Sequence, residues 1–183
     1  ASHPDLKNCG TVVVFNERIF AARYVKKEHA SNIQGFNAFG FGYLGIIDND
    51  EVVLFQKPVL RDVFEIKEEL PRVDIVKCHT DSDGVVIDAL REAGSAGIVI
   101  EGVGRGQVAP NMVPAIKRCI ESGIPVVITT SSEEGAVYPT YDYPGSAYDL
   151  HNEQVILGKD YDSKKARVRL AVQLASKQDN LLF

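Results

Sequence analysis

The residues best placed for chemistry lie in EGVGRGQVAP (residues 101–110), where Gly102, Gly104 and Gly106 alternate with side chains and Gln107 follows the last of them. The stretch succeeds an apolar run, GIVI, and precedes a helix-like pattern, NMVPAIKRCIESG. A dinucleotide fingerprint needs G-x-G-x-x-G after the first strand of a βαβ unit, with an acidic residue about 20 positions further on. Here the spacing is G-x-G-x-G, the strand before it is the second of its unit, and the next strand, PVVITT, does not end on an acid. A P-loop needs Gly-Lys-Ser/Thr, which the loop lacks. Two readings remain. Glycine permits positive φ in a tight turn. Alternatively, bare backbone opens a loop at the carboxyl end of a parallel strand, where the ligand crevice of such sheets lies. A small polar ligand or a neighbouring chain then approaches closely, and the Gln107 amide both donates and accepts.

The next strand ends on the same rim with ITTSSEEG, and the long loop after it holds Tyr138, Tyr141, Tyr143 and Tyr148. Loops of that length inside compact domains are usually functional or disordered, and tyrosines favour an ordered loop that makes contacts. Thr129 to Ser132 alone would read as a solvated turn. In ARYVKKEHASN, Lys26 and Lys27 follow a short apolar strand. Spacing alone makes them a solvated pair of charges. Cys9, Cys78 and Cys119 are widely spaced, form no CxxC and lie in or beside apolar patterns, so they read as buried free thiols of a reducing compartment. His3, His29, His79 and His151 show no metal-ligand spacing, and the neighbours Cys78 and His79 on a strand would point to opposite faces.

The elements that must position these residues differ between the two halves of the chain. Residues 11–15, TVVVF, form an apolar run of the kind buried on both faces. Asn16-Glu17 then supply a turn into a second short strand. Residues 26–45 are too rich in Gly and Phe for a continuous helix, and GYLGIID and EVVLFQKP flank Asn49-Asp50 as a hairpin that Pro58 ends. From LPRVDIV onward a unit repeats: apolar strand, loop, amphipathic helix, glycine, strand. Strand VDIVKC leads to a helix with Asp81, Ser82 and Asp83 as candidate N-caps and Gly94 at its end; GIVIEG leads to a helix that Gly123 closes. PVVITT is followed by an irregular loop, then VILG and a final helix capped by Asp162 or Ser163. Alternating β and α elements of this length specify a parallel sheet with helices on both faces.

At 183 residues and 45% hydrophobic content, the chain can bury a sizeable core, and its net charge of −5 without a basic run argues against a nucleic-acid footprint. No apolar stretch approaches the roughly 20 residues of a membrane helix, and ASHPDLKN lacks the apolar centre of a signal peptide.

VVVFNERIFAARYVKKEHASN resembles the L-asparaginase family's strand, Asn-Asp/Glu turn, short strand, Ala/Gly-Arg and Val-x-Lys. FGYLGIIDNDEVV is similar to its Gly-x-Leu-Gly hairpin, and LPRVDIV, GIVIEGVGRGQV, IPVVITTSS and SKKARVRLAVQLA follow its carboxyl-terminal domain in order. The resemblance implies an α/β protein with a Rossmann/flavodoxin-like parallel sheet and helices on both faces. The last strands and a β-hairpin of an amino-terminal α/β domain would precede it. The implied domains are 1–68, a remnant of that amino-terminal domain, and 69–183, the carboxyl-terminal domain.

The activity implied is hydrolysis of L-asparagine to L-aspartate and ammonia, with L-glutamine a further substrate of some members and no metal or organic cofactor. Lys27 matches the lysine of a threonine–aspartate–lysine relay, and Lys26 stands where a threonine is common. Both threonines and the aspartate lack counterparts, so the resemblance implies a truncated chain, inactive alone. Gln107, where members often carry Asn or Ser, would reach from a neighbouring subunit to the substrate's amino end, with Gly104 and Gly106 leaving the backbone bare. The usual second contact, a Glu, has no counterpart, because Glu133-Glu134 lies too early; Tyr141, Asp142 and Tyr143 are the candidates. A homo-oligomer, a dimer of dimers, is implied, without nucleic acid or membrane, and a cytoplasmic location is expected. The competing expectations are a non-catalytic Rossmann-like module for a small ligand or partner chain, and the asparaginase-like subunit of a tRNA-dependent amidotransferase.

Overall fold

Two tight turns set up the first part of the chain. Asn16 and Glu17 (φ 46° and 60°), and Asn49 and Asp50 (φ 47° and 61°), are paired left-handed residues. That conformation matches the twist of flanking antiparallel strands. In the computed structural model, which describes residues 3–59, 62–177 and 180–183, these turns join β1 (Val12–Phe15) to β2 (Arg18–Ala21) and β5 (Gly45–Asp48) to β6 (Glu51–Leu54). The strands form one sheet in the order β1-β2-β5-β6. Between them β3 (Lys26–Lys27) and β4 (Phe36–Asn37) make a separate antiparallel ladder inside the Gly- and Phe-rich segment. Ile19, Ala21 and Leu44 are buried, and Val12, Ile47, Val52 and Leu54 pack against them. The apolar run at 11–15 predicts a strand buried on both faces, and the structure corrects this: Val14 is 45% and Phe15 39% exposed. β1 pairs only with β2 among the described residues, and a strand at the edge of a small antiparallel sheet keeps one side open.

The chain divides into two compact units, Ala1–Val63 and Phe64–Phe183. In the second, β7 (Val73–Lys77), β8 (Gly97–Gly102), β9 (Val126–Thr130) and β10 (Ile156–Leu157) pair in parallel, in the order β10-β9-β8-β7. They alternate with α1 (Val85–Glu92), α2 (Val113–Glu121) and α3 (Ala147–Asn152), and α4 (Ser163–Ala175) follows. Strand period decides which face each residue serves. Ile98, Ile100, Val126 and Ile128 join Ile87, Ile116 and Leu150 from α1, α2 and α3 in one core. Val73, Val99 and Val127 meet Ala166, Leu170 and Ala171 of α4 on the other. Helices cover both faces, as the strand–helix alternation predicts. Each fully buried Ile here contributes roughly 1.5–3 kcal/mol. Gly97 lets α4 approach, since a Cβ there would lie 2.8 Å from Leu170 Cδ2.

Two local expectations change. The N-cap position of α1 is Gly84, although Asp83 Oδ1 accepts from the Val85 N–H at 3.0 Å. Asp81 adopts φ 63°, and the Ser82 hydroxyl oxygen instead accepts from His79 N–H. Within the loop predicted to be irregular, Ser146 caps α3 by accepting from Asp149 N–H at 3.1 Å. Asp162 caps α4 as expected, accepting from Lys165 N–H.

Candidate functional site

Lys27 ends β3, directly opposite Phe36 in the β3–β4 register. A cross-strand pair is the closest side-chain neighbour a sheet provides, and the Lys27 ammonium lies 4.6 Å from the Phe36 ring centroid and 5.9 Å from that of Phe15. The two rings touch each other, with centroids 4.8 Å apart at 60°. Lys27 is exposed, and its ammonium forms no ion pair among the described residues. The loop between the strands is closed by local bonds. The Glu28 N–H donates to the Gly35 carbonyl at 2.8 Å, and the Asn37 amide donates to Glu28 Oε2 at 2.5 Å. His29 Nδ1 accepts from the N–H groups of Ser31 and Asn32.

In the second unit, the glycine loop leaves the carboxyl end of β8 and folds back as a narrow bridge. The N–H groups of Val103 and Gln107 each donate to the other's carbonyl at 2.9 Å. Thr130 at the end of β9 donates its hydroxyl to the Gly104 carbonyl at 2.6 Å and accepts from Ser132 N–H. Ser131 N–H reaches the Gly102 carbonyl, and Tyr138 N–H the Arg105 carbonyl. The glycines serve distinct ends. Gly106 is buried at φ +93°, where a Cβ would stand 2.7 Å from Val137 Cγ1. At Gly104 (φ +53°) a Cβ would stand 2.6 Å from Gln107 Oε1, so the bare backbone makes room for that side chain. Gln107 is half-buried, and its side-chain amide makes no hydrogen bond among the described residues.

The stem of this loop carries a polar cluster that spacing does not reveal. Glu101 pairs with Lys77 at 2.9 Å and accepts from the Ser163 hydroxyl. Burial pushes the Glu101 carboxyl up, but the hydrogen bonds from Ser163 and Lys77 outweigh it and hold the group below the ordinary carboxylate range. The same bond raises Lys77.

Tyr141, Asp142 and Tyr143 are exposed on the loop before α3. Their two rings lie 6.3 Å apart, and the Tyr143 carbonyl accepts from Ser146 N–H. Cys9 and Cys119 are buried free thiols and Cys78 is half-buried and free. The Cys78 thiol turns to the His79 carbonyl, and His79 Nδ1 lies 2.8 Å from the Thr80 carbonyl oxygen. Thiol and imidazole therefore each face backbone rather than each other. No group of three or more His, Cys, Asp or Glu residues is arranged to hold a metal ion among the described residues, and no helix there is long and apolar enough to cross a membrane. Sequence reasoning passed over Gly35 and Phe36 and took Phe15 and Thr130 only for strand and turn residues. Only their three-dimensional register joins them to Lys27 or to the glycine loop.

Comparison with known proteins covers both units. The family description "Asparaginase, N-terminal" matches residues 1–60, and "Glutaminase/Asparaginase C-terminal domain" matches residues 72–181. An L-asparaginase of Bacillus licheniformis is 63% identical over 99% of this chain and 56% of its own length. L-asparaginase 2 of Bacillus subtilis is 29% identical, over 98% of this chain and 47% of its own. A crystal structure of the probable cytoplasmic L-asparaginase from Campylobacter jejuni superposes with a TM-score of 0.87 at 29% identity, covering 97% of this chain and 56% of that one. The chain thus spans about half the length of the relatives it matches.

Proposed function

The chain belongs to the glutaminase/asparaginase family, and from that premise we propose that it supplies the lysine and an amide contact of an amidohydrolase that converts L-asparagine to L-aspartate and ammonia. The 63% identity to an L-asparaginase across 99% of the chain carries this reading. Because the match spans 56% of that relative, the activity is assigned to a protein of the relatives' full length that contains this chain. The attacking threonine hydroxyl and its relay partners are expected outside these residues.

Lys27 is the proposed relay group. An ammonium beside a hydroxyl favours its deprotonated, nucleophilic form and eases the proton's transfer. Among the described residues its exposed ammonium has no carboxylate partner, which leaves it open to the relay aspartate expected outside them. Gln107 is proposed to orient the substrate's α-amino end from a neighbouring subunit of a homo-oligomer, a dimer of dimers. Its unbonded amide suits it to that contact. Gly104 and Gly106 shape the loop that presents it, and Tyr141, Asp142 and Tyr143 are proposed for the second contact on the same rim. Lys26, the adjacent ladder residue, has no role in this scheme.

Ammonia release by the purified 183-residue chain tests the assignment. No turnover above the uncatalysed rate is expected, because a proton-relay group without its nucleophile has nothing to activate. Turnover that survives Lys27→Ala would remove Lys27 from the mechanism and place the nucleophile inside this chain.

A further inference from the structure

The glycine loop closes on itself at its base and is held from outside at its tip. Gly106 and Gln107 both donate their N–H groups to the Val103 carbonyl, at 3.0 and 2.9 Å, and the Val103 N–H returns to the Gln107 carbonyl. At the tip, the Gly104 carbonyl is taken by a side chain: the Thr130 hydroxyl donates to it at 2.6 Å. Strand period puts Thr130 on the same face of β9 as Ile128, which belongs to the core beneath it. Thr130 is itself buried. Its hydroxyl accepts from the Ser132 N–H at 3.0 Å, and its single proton goes to Gly104. A β-branched side chain has few χ1 choices, so the strand that carries this hydroxyl also aims it.

What Thr130 holds bears directly on Gln107. A Cβ at Gly104 would lie 2.6 Å from Gln107 Oε1, 3.6 Å from its Cδ and 3.8 Å from its Nε2. The Gln107 amide therefore lies over the Gly104 α-carbon, next to the carbonyl that Thr130 fixes. We propose that Thr130 is a positioning residue for substrate binding: by pinning the Gly104 peptide, it sets where the Gln107 amide stands and so how tightly the substrate's α-amino end is held. The inference rests on the reading of Gln107 as that contact. Each link, from Thr130 to Gly104 and from Gly104 to Gln107, is a close approach within the second unit. The loop's frame does not hang on this hydroxyl alone, since the Val103–Gln107 bonds and those from the Ser131 and Tyr138 N–H groups remain when it is removed.

The kinetics of Thr130→Val, Thr130→Ser, Gln107→Ala and the Thr130→Val/Gln107→Ala double variant of the full-length protein test this, each assayed below its unfolding midpoint. Valine keeps the branched shape and removes the hydroxyl. KM for L-asparagine should rise about 3- to 10-fold, the effect of losing one hydrogen bond, with kcat within about twofold. Thr130→Ser, which keeps the hydroxyl, should return KM to within about twofold of wild type. Because Thr130 acts through Gln107, the double variant should show the KM of Gln107→Ala with no further rise. Thr130→Ala carries the same expectation as Thr130→Val should the valine variant not fold. An unchanged KM on loss of the hydroxyl, a serine variant as weak as the valine one, or a double variant in which the two rises multiply overturns the positioning role and leaves Gln107 in place. If Gln107→Ala itself keeps the wild-type KM, the reading of Gln107 fails and the inference falls with it.

Discussion

The hairpin that carries Lys27 and the loop that carries Gln107 hold a polar side chain in opposite ways. In the loop the backbone is committed: Val103 and Gln107 bond to each other, and Gly102, Gly104 and Arg105 give their carbonyls to Ser131, Thr130 and Tyr138. The side chain of Gln107 then rides on a frame welded to the end of β8. In the hairpin the backbone contributes a ladder of Lys26–Lys27 with Phe36–Asn37, and the side chain is steadied by rings. One site is fixed through main-chain hydrogen bonds and core packing, the other through side-chain contacts at the surface. Damage to the loop frame should therefore register first as lost stability, and damage around Lys27 first as lost rate.

Gly106→Ala gives the sharpest test of the loop's half of this contrast. The new methyl would need a left-handed backbone, costing about 1–2 kcal/mol. It would also stand 2.7 Å from Val137 Cγ1 and 3.3 Å from Ile128 Cγ1, where overpacking costs roughly 1–3 kcal/mol. A loss of about 2–5 kcal/mol in urea unfolding is expected from these two terms. An unchanged midpoint would break the comparison, since the loop would then be free of the core. Gln107→Ala should do the reverse. Stability should stay within about 0.5 kcal/mol, while KM for asparagine in the full-length protein rises roughly 10- to 100-fold, the effect of losing a hydrogen bond to a charged group. Wild-type kinetics would leave the loop a tight turn after a buried strand.

The smallest effect concerns the loop's stem. Glu101 titrates below its ordinary value near 4.5 in the folded chain. The stability this carboxylate contributes is therefore present above pH 4.5 and is lost as pH falls through the folded value. Glu101→Gln should flatten the decline of the urea midpoint as pH falls below the ordinary carboxylate value near 4.5, the side on which the downward shift places the loss. An unaltered slope would detach the Lys77–Glu101–Ser163 cluster from the stability of the stem.

The strand–helix repeat of the second unit was legible because its strands are rich in β-branched residues and its first two helices end at glycines, Gly94 and Gly123, with the left-handed φ that helix ends favour. The hairpins were legible for a similar reason: Asn49-Asp50 is a turn pair whose chemistry dictates its shape. The ladder of β3 and β4 was not, since strands of that length carry no period to read and Phe36 sits in a segment dominated by glycine. α3 was masked by surrounding tyrosines and prolines, although Ser146 with Asp149 three positions later is an N-terminal signature. Lys27 was legible only through its family pattern. A doublet of lysines has no chemistry of its own, and what separates Lys27 is the pair of rings, drawn from positions that only the folded backbone brings together. The glycine loop stood between these cases: its bareness was visible, but not which atoms would fill each gap.

The edge position of β1 bears on the chain as a colloid. Its outer side carries backbone donors and acceptors without a partner strand among the described residues, beside exposed Val14 and Phe15. Such an edge is a ready template for adding another strand. The net charge of −5 supplies mutual repulsion between copies, and dissolved salt weakens that repulsion beyond a Debye length of about 10 Å at 0.1 M. Concentration and ionic strength would then bear on how long a solution of this chain stays clear.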